Sequence, residues 1–561
     1  MEALDWLVIG VFFLALIGII VWVVRQKQND SADYFLGGRD ATWLAIGASI
    51  FASNIGSEHL IGLAGAGASS GMAMAHWEIQ GWMILILGWV FVPFYTRSMV
   101  YTMPEFLERR YNPQSRTILS VISLVSYVLT KVAVTVYAGG LVFQQVFGIK
   151  ELWGIDFFWI AAIGLVVLTA LYTIFGGMKS VLYTSVLQTP ILLLGSLIIL
   201  VLGFKELGGW DEMMRVCGAV TVNNYGDTMT NLIRSNDDAN FPWLGALIGS
   251  AIIGFWYWCT DQFIVQRVLS GKNEMEARRG TIFGAYLKLL PVFLFLIPGM
   301  IAFALHQKYI GAGGEGFLPM LANGTANADA AFPTLVAKLL PAGVKGLVVC
   351  GILAALMSSL ASLFNSSAML FTIDFYKRFR PETPEKKLVG IGQVATVVIV
   401  ILGILWIPIM RSVGDVLYTY LQDVQSVLAP GIAAAFLLGI CWKRTSAQGG
   451  MWGLIAGMVI GLTRLGAKVY YSNAGEVADS TFKYLFYDMN WLFFCGWMFL
   501  FCIIVVIVVS LATKAPTAEK IQGLVFGTAT KEQKAATRAS WNHWDIIHTV
   551  IILAITGDRK S

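Results

Sequence analysis

The stretch Ala48-Ser49-Ile50-Phe51-Ala52-Ser53-Asn54-Ile55-Gly56-Ser57-Glu58-His59-Leu60-Ile61-Gly62 decides the fold of this chain. It lies inside a run, 41–66, that is otherwise apolar enough to cross a bilayer. Small and polar residues crowd what should be the membrane midplane. Non-helical backbone survives at that depth only where protein or water covers it. A helix unwound there frees carbonyls and hydroxyls to hold an ion or a solute. The stretch therefore predicts a broken membrane helix with a binding role, and Met357-Ser358-Ser359-Leu360-Ala361-Ser362 predicts a second break of the same kind.

Outward from this segment the chain keeps the same character. Of its 561 residues 57% are hydrophobic and 13% charged, with a mean hydropathy of +0.70, whereas soluble domains are about one-quarter charged. A span needs roughly 20 apolar residues to cross a hydrocarbon core of ~30 Å. Such spans fall near 5–24, 41–66, 76–95, 117–147, 157–175, 184–203, 242–266, 280–305, 336–375, 388–409, 415–441, 449–470 and 491–513. A run at 545–556 is too short to cross alone and reads as the start of a fourteenth. The fold class is an all-α polytopic membrane protein of about 14 spans with the last incomplete. Its 57 glycines and 15 prolines suit close-packed membrane helices with few breaks.

Charge orients the spans. With the N-terminus outside, loops 25–40, 96–116, 176–183, 267–279, 376–387, 442–448 and 514–544 carry about 24 Lys and Arg, against about seven in the opposite loops. Cytoplasmic loops collect Lys and Arg, so the chain is expected in the inner or plasma membrane, multi-pass, with its N-terminus outside. The net charge of +5 belongs to these loops rather than to a nucleic-acid partner. The acidic start, Met1 to Asp5, lacks the basic flank of a cleavable signal, so the first span stays as a helix. The six cysteines form no CxxC pair. Cys259, Cys350, Cys441, Cys495 and Cys502 lie in apolar runs and read as small buried hydrophobes, while Cys217 falls in a polar loop. Neither HExxH nor a Walker loop is present, which leaves an enzyme reading without support.

Charges inside spans cost at least ~2.5–3.5 kcal/mol on the insertion scale, which makes Glu58, His59, Glu78, Lys131, Asp261 and Lys288 candidates for function. For Lys131 and Asp261 a buried ion pair or snorkelling is an equally good account. His76-Trp77-Glu78-Ile79-Gln80 mixes carboxylate and amide oxygens, which accept hydroxyl hydrogen bonds, with a ring face that covers C–H surface. That mixture suits a polyhydroxylated solute. Phe255-Trp256-Tyr257-Trp258, beside Asp261-Gln262, repeats it, although Trp and Tyr also form interfacial belts. Ser358 and Ser359, with carbonyls from a broken helix, could hold a small monovalent cation by oxygen alone; adjacent serines also commonly bond their own backbone.

The segments Asp33-Tyr34-Phe35-Leu36-Gly37-Gly38-Arg39, Ala52 to Gly62, Tyr101-Thr102-Met103-Pro104-Glu105-Phe106, Tyr257-Trp258-Cys259-Thr260-Asp261-Gln262 and Ser358-Ser359-Leu360-Ala361-Ser362 resemble the solute:sodium symporter family, in its sodium/glucose and sodium/myo-inositol branch. The resemblance covers roughly 30–470. It implies LeuT-type inverted five-helix repeats: an extra N-terminal helix in 1–30, a first repeat at 41–203, a second at 242–441, and additional C-terminal helices with a cytoplasmic loop in 449–561. It implies Na+ as coupling ion, held by carbonyls of Ala52, Ile55 and Ala355 and hydroxyls of Ser358 and Ser359. The solute would meet Asn54, Glu58, His59, Glu78, Gln80, Tyr257, Trp258, Lys288 and Gln422. Tyr257 would close the site from the cytoplasmic side, and Leu63, Trp77 and Tyr418 from outside. The implied activity is sodium-coupled import of a sugar or cyclic polyol by alternating access. A carrier of proline or sialate, or a transporter-like sensor, are the alternatives.

Three positions depart from that pattern. Ser185 stands where many relatives carry an Asp linked to a second sodium, which points to one Na+ per solute. Gly254 replaces a polar residue that contacts sugar in some relatives. Gln80 stands where the eukaryotic carriers commonly have Asn. The Glu58-His59 pair is closer to the inositol carriers than to the glucose carriers.

Overall fold

The structure is a computed structural model that describes all residues except 27, 29, 57, 322–323, 412–416, 474–477 and 558–561, and the backbone alone of 129–130, 407–411, 417–421 and 473. The helices that matter here, in chain order, begin with α1 Ala3–Val24, α2 Trp43–Asn54, α3 58–70, α4 75–98 and α5 113–147. A two-residue hairpin, β1 Glu151–Leu152 with β2 Ile155–Asp156, turns at Trp153 and Gly154, both at positive φ. It leads into α6 157–176 and α7 178–207, which meet at Gly177. Then come α8 Trp243–Thr260, α9 Gln262–Leu269, α10 Glu274–Gly311, α11 Val344–Phe379, α12 Glu385–Arg411, α13 Leu417–Cys441, α14 Ala447–Asn473, α15 Trp491–Ala512 and α16 His543–Gly557. Among the described residues ten helical stretches are long and apolar enough to cross a membrane. Trp43–Asn54, Ala133–Phe147 and His543–Gly557 are shorter apolar helices.

The first expected break is present. Helix α2 ends at Asn54, Ile55 is extended (φ −79°, ψ 106°), and the chain recoils through a wide turn at Glu58–Leu63 that opens α3. The second break is not where the sequence placed it. Helix α11 runs unbroken through Met357–Ser362, because its serines point sideways: Ser358 Oγ lies 3.3 Å from Ser185 Oγ on α7, and Ser362 Oγ lies 2.6 Å from Ser53 Oγ on α2. Small hydroxyl residues in a membrane helix are also the means of close interhelical packing. The second break lies instead at Asp261 (φ −77°, ψ 128°), between α8 and α9, where the Asp261 carboxylate accepts the Phe263 N–H and caps α9. Capping by a side chain satisfies a helix-terminal N–H that water would satisfy elsewhere.

Packing is tight where the broken helix meets its neighbour. A Cβ at Gly299 of α10 would lie 2.0 Å from the Ala64 carbonyl oxygen, and one at Gly67 of α3 would lie 2.2 Å from the Leu296 carbonyl oxygen. No side chain fits at that crossing, which lets the two backbones touch. At Gly177 the positive φ of 53° turns α6 into α7, and a Cβ there would strike the Tyr34 carbonyl.

Two cysteines reverse their expectation. Cys441 is exposed, because it ends α13 where the helix leaves the packed bundle, and Cys217 is buried. Cys217 rides the inward face of a short amphipathic helix, Trp210–Gly218, with its Sγ 3.8 Å from the Met300 carbonyl oxygen. The 545–556 run forms α16, about 22 Å long at 1.5 Å per residue. It docks on the bundle through Arg279–Asp545 (3.0 Å) and Trp89 Nε1 donating to Thr549 Oγ1 (2.9 Å).

Candidate solute and ion sites

Between the two breaks lies a cavity of about 390 Å3 of atom-free space, counting its open mouth. Every residue of the expected solute set lines it: Asn54, Glu58, His59, Glu78, Gln80, Tyr257, Trp258, Lys288 and Gln422. The end of α2 supplies Asn54, and the wide turn beyond the break supplies Glu58 and His59. The start of α4 supplies Glu78 and Gln80, and the end of α8 supplies the two rings.

Glu78 organises the centre. Its Oε2 accepts from Lys288 Nζ at 2.5 Å and from His59 Nε2 at 3.3 Å, with all three side chains at most 5% exposed. Lys288 Nζ also donates to Asn54 Oδ1 (3.2 Å), whose Nδ2 donates to the Tyr257 hydroxyl (3.2 Å). The chain His59–Glu78–Lys288–Asn54–Tyr257 thus joins five helices without an unpaired charge, as buried ions require. The Lys288 ammonium lies 5.4 Å from the Trp258 ring centroid. The Gln422 Oε1 atom is buried without a partner, an acceptor available to a hydroxyl group. Trp256, Tyr257 and Trp258 are all buried and so form no interfacial belt; Tyr257 and Trp258 line the cavity.

Lys131 and Asp261 are the separate ion pair that the sequence allowed. Lys131 Nζ lies 2.9 Å from Asp261 Oδ2, and the Tyr127 hydroxyl donates to the other carboxylate oxygen. The ammonium sits among the rings of Tyr127, Trp256, Tyr257 and Phe263, 4.6–5.6 Å from their centroids. This pair fastens the break between α8 and α9 to α5.

The expected ion ligands lie on the two elements that meet at the other break, α2 with its extended end and α11. Among the described residues the carbonyls of Ala52 and Ile55 accept no backbone hydrogen bond. The backbone at Gly56 comes so close to α11 that a Cβ there would lie 3.0 Å from Ser359 Oγ. Ser358 is buried beside Ser185, and Ala355 lies one turn earlier on the same helix. All five groups offer oxygen and none is a carboxylate, a donor set that fits a hard monovalent cation. The fit extends to burial, since Ser358 is 1% and Ser359 7% exposed.

The gate residues divide. Trp77 lines the cavity and packs at a tilt against Trp491, 5.6 Å between centroids, and Tyr257 lines it from the α8 side. Leu63 is fully buried in the turn opening α3 and is not among the lining residues. The Tyr418 side chain lies outside the described residues. Sequence reasoning missed Gln425 and Ile253, which also line the cavity. Gln425 was within reach, since it follows Gln422 by three residues and shares its helix face; Ile253 carries no signal that separates it from any other apolar residue of α8. It also missed Arg267, whose buried guanidinium bonds Ser53 Oγ through Nε (3.2 Å) just beneath the ion ligands.

Residues 34–457 match the sequence profile of the sodium:solute symporter family. The chain is 37% identical over 542 residues to the sodium/myo-inositol cotransporter 2 of Mus musculus, covering 94% of this chain and 80% of that one. It is 36% identical over 560 residues to the sodium/glucose cotransporter 4 of Danio rerio, covering 96% and 84%. In three dimensions it resembles a Na+-coupled sialic acid symporter solved in a substrate-bound outward-open state, with a TM-score of 0.73 at 21% identity over 92% of this chain and 99% of that one. It also resembles MhsT solved with L-phenylalanine, with a TM-score of 0.51 at 12% identity over 84% and 99%. These two likenesses are of fold, and the fold is the LeuT type.

Proposed function

This chain belongs to the sodium:solute symporter family, and from that membership we propose that it imports a sugar or cyclic polyol with sodium by alternating access. The carrying observation is the cavity whose polar wall is Glu78, Lys288, His59, Asn54 and Gln422 and whose ring wall is Tyr257 and Trp258. These groups offer acceptors and donors to a solute's hydroxyls, and the aromatic faces suit its C–H surface. The relatives named for myo-inositol and glucose support the same substrate class. A carboxylated solute would need a cation, yet the lysine that lines this cavity, Lys288, is bound to Glu78 and Asn54.

Sodium binds between Ala52, Ile55, Ala355, Ser358 and Ser359, where it ties the broken helix to α11 and so completes the adjoining solute site. Coupling requires that sodium bind the outward state more tightly than the inward one. One sodium moves per solute, because Ser185 offers a hydroxyl beside Ser358 where a second ion would want a carboxylate. One ion falling through ~100 mV releases about 2.3 kcal/mol, and a tenfold gradient adds roughly 1.4, enough for on the order of several-hundred-fold accumulation. Residues 41–203 and 242–441 are the two inverted repeats, each opening with a broken helix, α2–α3 and α8–α9. Residues 1–30 and 449–561 flank them, and the N-terminus faces outward.

Uptake into proteoliposomes tests the reading. Labelled myo-inositol, glucose, galactose and proline are offered under a sodium or a potassium gradient. Sodium-dependent uptake of a polyol or sugar is expected; uptake of proline alone would sink the substrate class.

A further inference from the structure

Outside the solute and ion sites the membrane-facing surface carries an open apolar groove between α5, α11 and α12, with about 1670 Å3 of atom-free space counting its open face. Phe371, Val394, Val398 and Leu402 stand in it 42–64% exposed, with no protein surface over them. Along α12 the groove runs from Lys387 to Leu402, about 22 Å at 1.5 Å per residue. That exceeds one leaflet's share of a ~30 Å hydrocarbon core and matches the reach of one extended acyl chain. Its polar end is set by Tyr376 and Lys387.

That end is cationic. Loop 376–387 carries Lys377, Arg378, Arg380, Lys386 and Lys387 against Glu382 and Glu385. Lys377 pairs with Glu385 at 2.9 Å, and Arg378 bonds the Pro113 carbonyl and Thr117. Lys387 has no carboxylate partner among the described residues. An apolar slot one acyl chain long, capped by an unpaired ammonium and a phenol at headgroup depth, is complementary to a lipid with a negative headgroup.

We propose that this groove is a binding site for an anionic phospholipid, with one acyl chain along α12 and the phosphate held by Lys387 and Tyr376. A phosphate near the surface gains about 1 kcal/mol from each Lys or Arg, close to a fivefold preference. Gly390 sits in the groove wall just below Lys387, and a Cβ there meets nothing within 4 Å, so a large side chain can fill the slot without moving the backbone.

The test is native mass spectrometry of the full chain after exposure to an equal mixture of palmitoyl-oleoyl phosphatidylglycerol and phosphatidylcholine. The wild type is expected to retain phosphatidylglycerol about fivefold over phosphatidylcholine. Lys387→Gln should bring that ratio near unity, and Gly390→Phe should remove the retained lipid of both kinds. Arg380→Gln makes the same charge change outside the groove and should leave the ratio unaltered. Sodium-dependent uptake shows that each variant is folded, and Val398→Trp fills the same slot if Gly390→Phe does not reach the membrane. An unchanged ratio in Lys387→Gln would overturn the site. So would an equal fall in Arg380→Gln, which would mean surface charge without a groove, or full retention in both filled-groove variants.

Discussion

At the scale of single residues, the departure at Gly254 has a geometric cause. The Gln80 amide donates through Nε2 to the Ser250 carbonyl oxygen at 3.0 Å. Only the NH2 end can face a carbonyl, so the Oε1 end is fixed toward Gly254. A Cβ on Gly254 would lie 2.5 Å from that oxygen. The longer amide at position 80 and the missing side chain at 254 therefore fit each other, where the sequence offered them as two unrelated departures. Gly254→Ala should push the amide into the cavity and raise the KM for the solute about tenfold, the cost of one displaced hydrogen bond. Gln80→Asn in the same chain withdraws the amide by one methylene and should recover most of that loss. The double-mutant coupling is expected near 1 kcal/mol; strictly additive KM changes would separate the two residues. The solute wall was legible in the sequence because burying Glu78 and Lys288 in a membrane is too costly to be incidental. What pairs with what was not, since partners such as Gln80 and Ser250 are 170 residues apart.

At the scale of elements, the two broken helices carry opposite lessons about reading a span. The break at Ile55 was legible because Asn54, Gly56, Glu58 and His59 leave no apolar face for lipid. The break at Asp261 was hidden because Phe255–Trp258 fills the same span with rings, and its single acid reads equally well as half of an ion pair. It is both: Asp261 caps α9 and holds Lys131. Lys131→Met should leave that carboxylate buried without its cation and cost about 3–5 kcal/mol, seen as a fall in melting temperature and in the yield of folded protein. Asp261→Asn added to it keeps an oxygen for the Phe263 N–H while removing the charge, and should restore most of the stability. No rescue would mean that the pair has another task than holding the break. The Ser358–Ser362 stretch misled for the complementary reason, since hydroxyls that bond across to α2 and α7 look the same in sequence as hydroxyls that end a helix. Their contact also makes the ion count testable. Ser358→Ala with Ser359→Ala should abolish sodium-dependent uptake, while Ser185→Asp places a carboxylate beside Ser358 and should steepen sodium activation from a Hill coefficient near unity toward two. Unaltered sodium dependence in the double alanine variant would move the ion site elsewhere.

At the scale of the whole molecule, the direction of net transport is set by the gradients, because a symporter's coupling is a set of binding free energies that run either way. Nothing in the cavity distinguishes import from export; the gradient does so, and what orientation decides is which loops and gates face which side. The assignment rests on loop charge, with five Lys and Arg in 376–387 alone against three in the whole of 204–241. Two exposed positions turn that asymmetry into a measurement: Tyr225, 60% exposed in the loop poor in Lys and Arg, and Phe379, 77% exposed in the basic one. With the exposed native thiol removed by Cys441→Ser, a membrane-impermeant maleimide should label Tyr225→Cys in intact cells. The same reagent should reach Phe379→Cys only after the membrane is opened. The reverse pattern would invert the chain, place the basic loops outside and overturn the proposed outward N-terminus, while the sodium gradient would still set the direction of net flux.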